Sequence, residues 1–472
     1  MTKRRSALLC RQCVTKEGAN MTENNELKKF TTVNFLNLAL GFLGLQFAWQ
    51  MRIALAEPVT SSLGASPFLY SLIWLAGPFS GMVVQPIVGV LSDNTKSKFG
   101  RRRPYLLGGA LITAVALYLF PHSAGISDFI SNIFHINMPA WGGLLIAAAL
   151  IWVIDACINI AQGPYRSLIP DVVPKEQHAN ANSYISLAIG LGSVIAMIVA
   201  PLLKFLFNYQ MPIDAQFLMA GLAFTLGMIW TCLTIKEKST LNNETVNSVQ
   251  NNENKGNFWQ SLKEFFLLSP EVKKICLMQF FTWIGMMCLL IYITPFAIHT
   301  VYNIPDLASA VVDKSLEQTA QNYALICLAV FNFVCFIVAI PLANLANKFG
   351  NKKVHIISML SMVLAYLGLA FFRHNTTAVL LFMGLSGIGW ASVCALPFAM
   401  LSRYIKPGTE GSVMGIFNIF IAGPQVFVCT LVGWLINIST MNGGLNHHYE
   451  LTFYIGAGCL LLASLVTSRI NE

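Results

Sequence analysis

Charge is the scarcest property of this chain: 11% of its 472 residues are Asp, Glu, Lys or Arg and 55% are hydrophobic, whereas soluble domains carry about 25% charge. Such a composition excludes an ordinary water-soluble globule. Several catalytic signatures are missing as well. There is no GxxxxGK[ST] to cradle a nucleotide phosphate, no HExxH or His-rich box to hold a catalytic metal, and no nucleophile motif. No enzymatic activity, metal or cofactor is therefore expected. No cleavable leader is expected either, because the first 30 residues are basic and polar, without a continuous apolar stretch or a cleavage pattern. The first apolar run would itself serve as insertion signal, and Met21 is an alternative start to Met1. The 11 cysteines are scattered, nine of them inside or at the edges of apolar runs, which suits small packing residues and not a disulfide framework. Cys10 and Cys13 form one CxxC, which carries little weight without a second pair of ligands.

What the chain has is long apolar sequence. A bilayer-spanning helix needs about 20 mostly apolar residues. Runs of that kind lie at 33–57, 68–91, 104–121, 140–163, 179–205 and 214–235, and again at 274–298, 320–346, 354–372, 377–402, 411–437 and 450–468. The net charge of +9 is gathered in alternate gaps between them, so it reports membrane topology and not a nucleic-acid surface. The gap at 92–103 holds Lys96, Lys98, Arg101, Arg102 and Arg103, and the one at 347–353 holds Lys348, Lys352 and Lys353. The gaps at 58–67 and 122–139 have no Lys or Arg. Cytoplasmic loops carry the excess of basic residues, so both termini are expected in the cytoplasm; the expected location is the plasma (inner) membrane.

The expected fold class is an all-α membrane protein of 12 transmembrane helices in two six-helix pseudo-symmetric bundles. The boundaries read as a cytoplasmic tail at 1–30, an N-terminal bundle at 31–235, a cytoplasmic linker at 236–273 and a C-terminal bundle at 274–472. The linker's Asn-rich core has too few apolar residues to pack. Near its end Trp259, Leu262, Phe265 and Phe266 recur at helical spacing, as in an amphipathic helix lying on the membrane surface. The halves also share sequence. Lys98-Phe99-Gly100 followed by basic residues recurs as Lys348-Phe349-Gly350, and Pro164, Leu168 and Pro174 recur as Pro397, Leu401 and Pro407. Paired motifs in corresponding loops indicate two parallel repeats around a central cavity.

Charges inside spans are costly and mark substrate or ion pathways by default. Arg52 and Glu57 lie in the first span and Asp155 in the middle of the fourth. Asp155, Asn159, Gln162 and Arg166 are spaced by four, three and four residues, which puts them on one helix face. That face cannot look at lipid. Asp155 reads as a carboxylate that carries a proton across, or as a structural tie to Arg52 or Arg166. Arg52 in turn attracts an anionic substrate or pairs with Glu57 or Asp155. Amide and aromatic side chains that would hold sugar hydroxyls and stack on sugar rings are Gln46, Trp49, Trp74, Gln85, Trp283 and Trp390. For any one of them, helix packing or an interface belt is the plainer role.

The stretch GVLSDNTKSKFGRRRPYLLGG resembles the lengthened loop between the second and third helices of the major facilitator superfamily, as in the sucrose:proton symporters of plants and related sugar transporters of animals and bacteria. WVIDACINIAQGPYRSLIPD is similar to the fourth helix of the same group. The likeness extends to the sucrose/maltose:proton and glycoside-pentoside-hexuronide:cation type of symporter. It implies that Asp155 takes the coupling proton and contacts sugar, that Arg166 is its basic partner, and that Asp93, Arg101, Arg102 and Arg103 form an inner gate. Arg52 departs from the Gln or Glu of that group. The reading implied is proton-coupled sugar symport by a monomer with no nucleic-acid partner. Sodium-coupled or uncoupled transport of another polar or anionic solute, or a sugar sensor that transports nothing, stand as alternatives.

Overall fold

The computed structural model describes residues 29–237, 268–305, 313–405, 410–441 and 446–471. Cys10, Cys13, Met21, most of the 236–273 linker and the helix expected around Trp259, Leu262, Phe265 and Phe266 lie outside the described residues. Among those described, twelve helices are long and apolar enough to cross a membrane: α1 Thr32–Ser62, α2 Pro67–Asp93, α3 Arg103–Phe134, α4 Gly142–Val172, α5 Asn180–Phe207, α6 Ile213–Thr234, α7 Pro270–Val301, α8 Lys314–Phe349, α9 Asn351–Phe371, α10 Thr376–Ser402, α11 Ile416–Ile438 and α12 Leu451–Ser468. A two-stranded hairpin, β1 Thr440–Met441 with β2 Asn446–His447, joins the last two.

Helix ends follow ordinary capping chemistry. The Thr31, Ser66, Ser269, Asp313 and Asn375 side chains accept from orphan backbone N–H groups at the starts of α1, α2, α7, α8 and α10. Pro67 and Pro270 stand just inside two of those starts, where the lack of an N–H costs nothing. The repeated Lys-Phe-Gly turn has a common backbone reason. Gly100 and Gly350 sit at φ 95° and 90°, a conformation that a side chain would strain.

The packing repeats as the sequence does. In the first half α1 packs on α5 and α6, α2 on α4, and α3 on α4 and α6. Six helices later α7 packs on α11 and α12, α8 on α10, and α9 on α10 and α12. The halves meet through α5 with α8, α2 with α11, and α1 with α7. An even number of spans puts the start of α1 and the end of α12 on one face, called here the termini face; the opposite side is the far face. Among the described residues, the hydrogen bonds seen between the halves lie in the middle and at the far end. Tyr70 donates to the Ile291 carbonyl at 3.0 Å, Ser71 and Tyr292 hydroxyls lie 2.6 Å apart, Glu57 meets His299 at 3.0 Å, and Gln50 reaches Asn332 at 3.4 Å.

Two elements differ from the hydropathy reading. The gap expected at 122–139 contains a helical extension of α3, Ser123–Phe134, set off by a tight turn at Phe120–His122. Its Ile126, Phe129, Ile130 and Ile133 recur at helical spacing, but the run is too short to register as a span. Helix α2 is broken at Trp74 and Leu75, between Pro67–Ile73 and Ala76–Asp93. That break aims Trp74 inward.

Candidate functional site

The centre of the first half is built where α1, α2 and α4 meet. Arg52 on α1 and Asp155 on α4 are both buried, and Nη2 of the arginine lies 2.5 Å from Oδ2 of the carboxylate. The guanidinium carbon stands 4.5 Å from the centre of the Trp74 ring, so the cation is held by a carboxylate and by a π face together. Gly77 on α2 faces the pair; a Cβ there would lie in ordinary contact, 3.7 Å from Asp155 Oδ2. Arg52 Nε has no hydrogen-bond partner among the described residues. The charge pair is therefore formed but not fully satisfied.

One turn toward the termini face the polar seam continues. Asn159 Nδ2 donates to Ser80 Oγ at 2.9 Å and to the Asp155 carbonyl at 2.8 Å. Gln85 Nε2 donates to Asn159 Oδ1 at 2.6 Å and to Gln162 Oε1 at 3.3 Å. Four of the residues singled out in the sequence, Asp155, Asn159, Gln162 and Gln85, thus form one connected row with Arg52 and Trp74 at its head. Such a row offers both donors and acceptors, which is what a polyhydroxylated solute requires.

Arg166 does not join them. It lies eleven residues beyond Asp155 along α4, about 16 Å at 1.5 Å per residue, so sharing a face did not bring the two together. The cation beside Asp155 is Arg52, and Arg52 does not pair with Glu57. Arg166 lines a separate cavity of about 340 Å³ with Phe42, Ile169, His178, Asn182 and Ser186, and has no ion pair among the described residues. Trp283 and Trp390 pack edge to face in the second half, ring centres 6.0 Å apart, with Trp390 stacked on Phe331. Gln46 and Trp49 are half-buried on α1.

The charges at the termini face form a second network. Arg102 is paired with Asp93, reaches Asp171 at 3.1 Å and donates to Ser92 Oγ at 2.6 Å. Arg101 contacts the same Asp171 at 2.5 Å, and Arg103 donates to the Ile235 carbonyl. The Glu237 carboxylate accepts from the Arg102 backbone N–H at 3.0 Å. Hydrogen bonding to Asp171 pushes Arg101 above its already high range, so this arginine stays charged. Apart from Glu237, at the start of the linker, the network's members belong to the first half. Sequence reading missed Asp171 and Glu237 as its anchors, and it missed His299 and the Gln50 amide, which donates to Ser193 Oγ at 3.2 Å and to Asn332 Oδ1 at 3.4 Å. The available signal for His299 was Glu57: a carboxylate in a span needs a partner.

Residues 38–455 match the family model described as MFS/sugar transport protein. Among curated proteins, the chain is 30% identical over 271 residues to the general alpha-glucoside permease of Schizosaccharomyces pombe, a stretch covering 56% of this chain and 48% of that permease. It is 26% identical over 440 residues to sucrose transport protein SUT2 of Oryza sativa subsp. indica, covering 85% of this chain and 86% of the rice protein. For sucrose transport protein SUC4 of Arabidopsis thaliana the identity is 27% over 431 residues, with 83% and 82% covered. Solved structures of similar fold include the nucleoside transporter NupG, at TM-score 0.63 and 15% identity over 93% of this chain and 99% of that one. A D-xylose-proton symporter follows at TM-score 0.62 and 14% identity, with 94% and 98% covered.

Proposed function

Because the chain belongs to the MFS/sugar transport protein family and is a sugar transporter, we propose that it moves a disaccharide or other glycoside together with a proton, by alternating access. One observation carries the coupling: Asp155, central in α4, is buried against Arg52 and continuous with the amide row Asn159, Gln162 and Gln85. As a carboxylate Asp155 holds the arginine; once protonated it releases Arg52 and presents an O–H to a sugar hydroxyl. Neither charge is stable alone at this depth, so proton arrival and substrate arrival favour one another. Trp74 supplies a flat face for a sugar ring, and Trp283 and Trp390 supply another from the second half.

The moving bodies in this reading are the two bundles, 31–235 and 274–472, joined by the cytoplasmic linker 236–273. Cross-half hydrogen bonds at the far end support a state closed there and open toward the termini face. In that state Asp93, Arg101, Arg102 and Arg103 are drawn into the first half; closing the termini face would re-use them across the seam. The protein acts as a monomer in the plasma membrane with both termini in the cytoplasm.

A second reading rests on Arg166. Its charge faces a cavity without a carboxylate among the lining residues, which favours an anionic glycoside or other anionic solute. Uptake of labelled neutral and anionic sugars into proteoliposomes, with imposed pH or sodium gradients, separates the readings. Accumulation of a neutral glycoside driven by a pH gradient supports proton symport; accumulation only with sodium, or only of anions, replaces it.

A further inference from the structure

The far-face closure contains a buried acid–base pair that the Asp155 mechanism does not use. Glu57, near the far end of α1, and His299, in the last turn of α7, belong to opposite halves and are each 4% exposed. Glu57 Oε1 and His299 Nε2 are 3.0 Å apart. The other ring nitrogen, Nδ1, lies 2.9 Å from the Ile304 carbonyl oxygen. A carbonyl only accepts, so Nδ1 carries a proton. The Nε2 contact then closes in two ways only: an imidazolium donating to a carboxylate, or a carboxylic acid donating to a neutral imidazole. Both contain the same single extra proton. Without it a carboxylate oxygen faces a nitrogen lone pair, and the contact becomes repulsive.

Three further features point to a proton site. Glu57 Oε2 is buried and has no hydrogen-bond partner among the described residues. It borders a crevice of about 10 Å³, room for about one water molecule, lined also by Thr60, Ser61, Ala65, Pro67, Tyr70 and Tyr449. His299 sits where α7 widens after Pro295 into a π-helical turn, Phe296–Val301, a local irregularity that recurs at functional positions. Among the described residues, the surroundings supply no competing cation in contact with the pair. Tyr70 on α2 donates to the Ile291 carbonyl and lies within the fields of both Glu57 and Arg52. Arg52, lower on α1, is engaged by Asp155. Tyr449 stacks on the His299 ring at 5.7 Å and has His447 at 6.2 Å on another side. In the next residues His448 and Arg373 contact Glu450.

We propose that Glu57 and His299 form a proton-binding site separate from Asp155, and that its bound proton holds the far face shut. The site stays with the far-face closure, so its proton returns to the side it came from. It sets how readily the far face opens as pH changes there, without adding to the number of protons moved per sugar. The proposal rests on the alternating access proposed above.

The test reads far-face opening by labelling a cysteine at Ser61, in the crevice, with a membrane-impermeant maleimide applied to oriented proteoliposomes. A cysteine at Asn132, on the exposed far end of α3, corrects for the pH dependence of thiol reactivity, and the parent chain supplies the blank. Between about pH 5.5 and pH 8.5 outside, the range in which histidine titrates, the Ser61-to-Asn132 labelling ratio should rise severalfold. In Glu57→Gln the side-chain amide donates to the neutral ring at every pH, so the ratio should stay low and flat. In His299→Ala it should be high and flat. His299→Gln, which donates to the carboxylate at every pH, repeats the low, flat outcome should Glu57→Gln fail to fold. A ratio independent of pH in the parent, or an equal rise in Glu57→Gln, overturns the proposal. If the parent ratio responds to added sugar but not to pH, only the proton site fails; if it responds to neither, alternating access fails with it.

Discussion

Replacing Arg52 by methionine tests how the buried pair is held. The guanidinium lies 2.5 Å from Asp155 and 4.5 Å from the Trp74 ring, and both charged residues are at most 4% exposed. Arg52→Met leaves the Asp155 carboxylate without a cation in a membrane interior, and breaking one side of a buried pair costs about 3–5 kcal/mol. Loss of the contact with Trp74 adds about 1 kcal/mol. Asp155→Asn strands the arginine instead, and the π contact with Trp74 recovers only part of the loss. The double variant Arg52→Met/Asp155→Asn leaves no uncompensated charge. It should therefore be more stable than the sum of the singles predicts by about 2–3 kcal/mol. Unfolding in mixed micelles with increasing SDS, followed by tryptophan fluorescence, gives all four free energies. Strict additivity would refute the reasoning, because the two side chains would then be adjacent without being energetically linked.

Arg102→Ala deprives Asp93 and Asp171 of a shared cation; with Asp93 half-exposed and screened, a loss of about 1–3 kcal/mol is expected, and turnover should fall more than equilibrium sugar binding. Asn159→Ala removes the donor to Ser80 and the acceptor for Gln85, which should cost about 1–3 kcal/mol in stability and weaken sugar binding measured by calorimetry. Gly433→Val should wedge α11 away from α2, since even a Cβ there would lie 2.6 Å from Ser71 Cβ; far-face cysteine labelling should rise while sugar efflux toward the termini face slows.

Hydropathy located every span because the lipid requirement acts residue by residue along the chain. The paired Lys-Phe-Gly turns were equally legible, and both glycines do adopt the positive φ that only glycine tolerates cheaply. Helical periodicity put Asp155, Asn159 and Gln162 on one face correctly, yet it says which way a residue points and nothing of its distance from a partner. Hence it left Arg52 and Arg166 both open as partners of Asp155, and the one in contact is Arg52, from a helix about 100 residues earlier. The His299–Glu57 contact joins residues 242 positions apart, and no local pattern encodes which far-end residues meet when two bundles close. The helical extension Ser123–Phe134 was hidden for the opposite reason: its pattern is regular but too short for a hydropathy window.

The central claim is that Asp155 couples sugar movement to a proton, and gradient-driven uptake into proteoliposomes tests it most directly. With an imposed pH gradient the parent protein should accumulate a labelled glycoside above its outside concentration, and Asp155→Asn should lose that accumulation while remaining folded by the unfolding assay. An Asp155→Asn variant that still concentrates the glycoside under the same gradient would contradict the account.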